Sequence, residues 1–197
     1  DPDPDENECL RGDLDVRGEL TIIGAGQAET IIRSTGEPLT GDRLIEVVEG
    51  ASLSLRRLTL RDGLSDTQGG ALRNHGRARV QQVSFIDNRS SAGIEGQGGA
   101  IANYGSLTVS QALFESNLSI GEEGFFGLVG AIFNQGVVQV RDTTFRDNIA
   151  TDYNDTDFAR GGALYNEGHA DVARSTFVGN AAGISLDNGG GAAIANR

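Results

Sequence analysis

The stretch GGAIANYGSLTVSQALFESN, residues 98–117, decides the reading of the chain because it recurs. It returns as GGALRNHGRARVQQVSFIDN (69–88), VGAIFNQGVVQVRDTTFRDN (129–148) and GGALYNEGHADVARSTFVGN (161–180), and a fifth copy opens as GAAIAN (191–196). The equivalent phenylalanines Phe85, Phe114, Phe145 and Phe177 are 29, 31 and 32 residues apart. Periods of this size mark solenoids, propellers and arrays. Inside each copy the period is two. Leu107 and Val109 alternate with Ser106 and Thr108, and Ala112 with Phe114 repeats the alternation a few residues on. That is the pattern of strands with one face buried. Each copy therefore predicts two or three short strands broken by Gly and Asn. Such a unit buries its apolar face only against copies of itself.

The repeated polar residues predict how the copies stack. Asn74, Asn103, Asn134, Asn166 and Asn196 form one series, and Asn88, Asn117, Asn148 and Asn180 another. At equivalent corners their amides can bond along the axis, and asparagine also tolerates left-handed backbone. Gly76, Gly105, Gly136 and Gly168 follow the first series by two residues and read as positive-φ positions. The four phenylalanines should stack as an internal ladder, with Val80, Val109, Val140 and Val172 as another.

The pairing of GGA[IL]xN with FxxN resembles the right-handed parallel β-helix repeats of bacterial surface and secreted proteins, including the chlamydial polymorphic outer-membrane proteins. The opening GDLDVRGELTIIGAGQAETIIRS (12–34) is similar to the first coils of β-helix proteins with a Cys-Ser-Leu-Arg-Glu-Ala motif, represented here by Glu8-Cys9-Leu10-Arg11. The resemblance covers residues 12–197 and implies an all-β, single-domain right-handed parallel β-helix. Such repeats serve adhesins, enzymes and scaffolds alike, so fold alone does not assign function. Residues 1–11 read as an acidic N-terminal tail and 12–197 as the β-helix domain. Counting residues 44–63 as an earlier, shorter coil, and the runs 20–23 and 30–32 before it, gives about seven coils.

The chain has 197 residues, 28 Asp plus Glu and 16 cations, all arginine, for a net charge of −12. A field of that sign disfavours nucleic acid and anionic lipid, and favours a partner that is basic or bridged by divalent ions. No apolar run is long enough for a membrane-spanning helix. Cys9 stands alone and pairs with nothing inside the chain. The first residue is Asp, as in a processed, exported product, so the expected location is the cell surface, the extracellular space or the periplasm. The last copy stops at Arg197 without a polar cap. Solenoids cap their ends, so either the chain is a fragment or a neighbour covers that end.

Chemistry is expected in the segments that leave the repeat, 89–97, 118–128, 149–160 and 181–189, which vary in length and depart from the same corner. Stacking gathers such insertions on one side, where solenoids bind partners. Phe125, Phe126, Tyr153 and Phe158 lie in these segments, and Phe133 and Tyr165 are expected to point outward beside them. Together these aromatics, rimmed by Glu122 and Glu123, predict a docking surface for a protein partner; the competing expectation is that the loops fold back over the rings. Carbohydrate is a second candidate ligand. Asp152, Asn154, Asp155 and Asp157 form an oxygen-rich cluster that suits calcium, with a solvated loop as its alternative.

An enzyme is not expected. The two histidines, His75 and His169, lie outside any Gly-His-Gly context, and no outward row pairs carboxylates as glycoside cleavage requires. No Ser/His/Asp set and no metal-spaced His/Cys set is present. The expected role is therefore a non-enzymatic exported β-helix, a surface, adhesive or accessory structural subunit docking through its loop side. The alternative is a carbohydrate-active β-helix, a lyase or glycosidase on an acidic polymer.

Overall fold

In the computed structural model, which describes residues 13–34, 43–92, 95–121, 126–152, 159–183 and 193–197, every regular element is a strand. The strands form parallel sheets that wind into a β-solenoid. A first sheet of seven strands starts with Leu14–Val16, continues through Ile45–Val47, Leu72–Asn74, Ile101–Asn103, Ile132–Asn134 and Leu164–Asn166, and ends with Ile194–Asn196. The second sheet carries the longest strands, Ser52–Arg61 and Arg77–Ile86. In later coils these are split in two, as in Ser106–Ser110 and Leu113–Glu115. The third sheet has five short strands: Leu64–Ser65, Arg89–Ala92, Leu118–Gly121, Ile149–Asp152 and Ala181–Ala182. Only coils contributing to all three sheets are complete, so the rod has about five turns, not seven. The difference lies at the ends, where the first and last copies supply strands to one or two sheets.

Alternation fills the core as the repeat predicts. Phe85, Phe114 and Phe145 are fully buried, and the ring series runs on to Phe177 with centroids 4.6, 4.8 and 4.9 Å apart and planes within 9°. Val80, Val109 and Val140 are equally buried beside them. A coil spacing near 4.8 Å is close to the stacking distance of aromatic rings, so one residue type repeated at one position forms a continuous column. Both asparagine series form amide ladders. Nδ2 of Asn74, Asn103, Asn134 and Asn166 each donates to Oδ1 one coil further on, at 2.6–2.7 Å. The second ladder links Asn88, Asn117, Asn148 and Asn180 at 2.7–2.9 Å, and its amides also donate to the carbonyls of Leu60, Phe85, Phe114 and Phe145. Apart from Asn74 Oδ1, at the start of the first ladder, the buried corner amides thereby keep their polar groups paired.

Two backbone expectations are corrected. The left-handed residues are not the asparagines but their predecessors Asp87, Ser116, Asp147 and Gly179, with φ of 54–65°. A second left-handed series, Arg57, Gln82, Gln111, Asp142 and Arg174, turns the chain midway through the second sheet. The glycines 105, 136 and 168 do not have positive φ. A Cβ at any of them would run into the carbonyl oxygen of the equivalent glycine one coil back, Gly76, Gly105 or Gly136. Coil-to-coil contact, not a special dihedral, demands glycine there.

Candidate functional site

On the side where the variable segments leave the rod, the described backbone builds a ledge. Glu95–Gln97 pairs with Phe126–Val129, and single bridges join Gln68 to Gln97 and Val129 to Gly161. Beneath it lies a second apolar cluster, separate from the inner core: Ala102, Val129, Phe133 and Tyr165, with Tyr104 and Ala195 against it. Phe133 and Tyr165 do point away from the inner core, but they are 1% and 2% exposed. The expectation that they present themselves on the surface is corrected: the ledge folds back over them, because two large rings left in water would forfeit most of their burial energy. Tyr165 Oη stays paired, accepting from Arg160 and donating to Glu167, both at 3.1 Å. Of the other expected site residues, Phe126 and Asp152 belong to strands of which only the backbone is described. Glu122, Glu123, Phe125, Tyr153, Phe158 and the calcium candidates Asn154, Asp155 and Asp157 lie outside the described residues.

At the foot of the ledge the outer face of the first sheet opens into a groove of about 410 Å³, lined by Glu46, Val48, Glu49, His75 and Tyr104. His75 and Tyr104 follow Asn74 and Asn103 in consecutive coils, and their rings stack with centroids 4.8 Å apart and planes 9° from parallel. The Tyr104 hydroxyl lies within hydrogen-bonding reach of the side-chain carbonyls of Gln97, at 3.0 Å, and Gln68. That pins the ring to the ledge. Tyr104 also tilts against Phe133 at 5.9 Å, so the aromatic series passes without a break from groove to buried cluster. Partial burial of the imidazole, and then the positive charge of Arg73, hold the His75 pKa below its usual value. The ring is therefore neutral at pH 7.

The floor of this groove is charged. Arg43, 6% exposed, donates from Nη1 to Asp13 at 3.1 Å and to Glu46 at 2.9 Å. Its Nε reaches the Gln68 carbonyl and its Nη2 reaches Ser65 and Thr67. Arg73 forks onto Glu46 at 2.7–3.1 Å, and Arg17 reaches Asp15 at 3.2 Å. Carboxylate oxygens of Asp13, Asp15 and Glu46 lie within 4.8 Å of one another, close enough for a metal. Three guanidinium groups already fill that role, so the cluster is an ion-pair knot across the first three coils. Burial raises the Asp13 pKa against the opposing pull of Arg43, and burial likewise raises Asp15.

Sequence reasoning placed the site at the loops and missed Tyr104 and the Gln68–Gln97 clamp. A signal was present: the residue after the first corner asparagine is His75, Tyr104, Gln135 and Glu167 in successive copies, a polar and aromatic row where the repeat is otherwise strict. Among the described residues no helix is long and apolar enough to cross a membrane. In comparisons with family models, curated proteins and solved structures, nothing matches the chain.

Proposed function

We propose that this chain is a non-enzymatic, exported parallel β-solenoid that serves as a surface, adhesive or accessory structural subunit, docking a protein partner on its loop side. One observation carries the reading: the His75–Tyr104 stack, standing at the foot of the ledge beside Glu49. An aromatic face bordered by a carboxylate suits an arginine- or lysine-bearing segment, which gains cation–π contact and charge complementarity together. The net charge of −12 supports the same choice of partner. The type of repeat supports export only through its resemblance to bacterial surface β-helices.

A lyase or glycosidase would need carboxylates free to act on substrate, beside an arginine or a second acid. The clustered carboxylates among the described residues, Asp13, Asp15 and Glu46, are instead bonded to Arg43, Arg73 and Arg17.

The test is fluorescence anisotropy with labelled basic peptides and acidic peptides of equal length. Wild type is expected to bind the basic set, with affinity falling at high salt and at least tenfold in Tyr104→Ala. Equal binding by Tyr104→Ala would move the docking surface elsewhere. Turnover of a uronic-acid polymer that vanishes on replacing a single Asp or His would favour the enzyme reading instead.

A further inference from the structure

The outer face of the second sheet breaks the repeat at one place. Positions that read Ser106 and Thr108, Val137 and Gln139, or His169 and Asp171 in later copies read Arg77 and Arg79 in the first. Strand register puts Ser52 and Ser106 on either side of Arg77, and Ser54 and Thr108 on either side of Arg79. Two arginines thus occupy the middle of a block with a hydroxyl at each corner. They root two residues apart on one strand, about 6.6 Å.

Neither arginine is spent on the fold. Arg77 and Arg79 are exposed and, like Arg33, Arg56, Arg57, Arg89 and Arg160, make no ion pair among the described residues. What sets these two apart is their place: side by side on one outward strand face, they concentrate positive charge in a chain of net charge −12.

Arg77 and Arg79 line a groove of about 330 Å³ that begins at Glu19 and Thr21 and passes Ser52 and Ser54 on the way to them. It crosses four coils, about 14 Å at 4.8 Å per coil, longer than a single inorganic ion. A guanidinium fork takes an oxyanion bidentately, while serine and threonine hydroxyls and the Glu19 carboxylate take ligand hydroxyls. The overall negative field opposes a densely charged polyanion. What fits is a sparsely charged, polyhydroxylated molecule.

We propose that the groove around Arg77 and Arg79 binds an acidic oligosaccharide through one carboxylate or sulfate group, with its hydroxyls on Ser52, Ser106, Thr108 and Glu19. The site lies on a different sheet from the His75–Tyr104 groove and stands whether or not a protein docks there.

Isothermal titration and ligand-observed NMR with sialyllactose, lactose 3-sulfate, lactose and inorganic sulfate test it. At least one of the two charged sugars is expected to bind, and the preference between them identifies carboxylate or sulfate as the group read. Lactose and inorganic sulfate should each bind at least tenfold more weakly. The double variant Arg77→Gln/Arg79→Gln should lose at least tenfold in affinity at an unchanged melting temperature, since both side chains are exposed. Arg77→Lys, which keeps charge but not the fork, should lose part of it. Arg174→Gln, altering a paired arginine elsewhere, should bind as wild type. The proposal is overturned if neither charged sugar binds, if lactose or inorganic sulfate binds as tightly, or if the double variant binds as wild type does.

Discussion

Single side chains in this rod are judged by whether the next coil offers a partner. The asparagines succeed within the ladders, because an amide both donates and accepts and each copy supplies the next link, and only where the first ladder starts is an acceptor, Asn74 Oδ1, left without one. Two interior serines fail. Ser90 and Ser119, neighbours on the third sheet, have hydroxyls that are buried and unpaired. Ala150 and Ala182 continue the same row in the following coils. An orphaned buried hydroxyl costs about 1–3 kcal/mol, so Ser119→Ala should raise stability by about 1 kcal/mol in urea unfolding. A loss would mean that the hydroxyl has a bound partner such as water. The pairing of Asn and Phe columns was legible in the sequence because identity at a fixed period implies identity of environment. The orphaned serines were not legible, since Ser looks the same in a paired and an unpaired site.

At the scale of the strand, the bend within the second sheet is the feature that sequence hid. Gln111 sits at φ 53°, between Ser106–Ser110 and Leu113–Glu115, as do Arg57, Gln82, Asp142 and Arg174 at their positions. These residues share no side-chain chemistry, so nothing in their identities announces a left-handed turn. The conformation is imposed by strands on both sides that must each meet their partners in the next coil. A β-branched residue there is strained further. Gln111→Val should therefore cost about 1–2 kcal/mol, while Gln111→Gly should be neutral or slightly stabilising, as read by the urea midpoint. Equal losses in both would show that the Gln side chain, not the backbone, matters.

Over the whole molecule the two ends differ from the middle. Among the described residues at the N-terminal end, Arg43 ties Asp13 of the first coil to Glu46, Ser65, Thr67 and Gln68 of the second. Because burial holds the Asp13 pKa above its usual 3.8, its contribution to stability is greatest below that pH and is lost as pH rises through the raised value. Asp13→Asn removes this titration. Its stability relative to wild type should therefore increase as pH rises from 3.8 through the raised pKa, whatever the constant offset from losing the charge beside Arg43. A gap that does not change with pH would mean that Asp13 titrates as an ordinary exposed carboxylate.

The sequence by itself determined the solenoid and the columns of Phe, Val and Asn. It could do so because a parallel stack places equivalent residues of successive copies one above the other, so periodicity is already three-dimensional information. Only the tertiary structure decided how many coils close on all three sheets, that Phe133 and Tyr165 lie under the ledge, and that His75 and Tyr104 remain open beside it. It also decided which arginines are paired and which are free. Those outcomes depend on contacts between segments that break the repeat, and where the period lapses, spacing along the chain no longer says what meets in space.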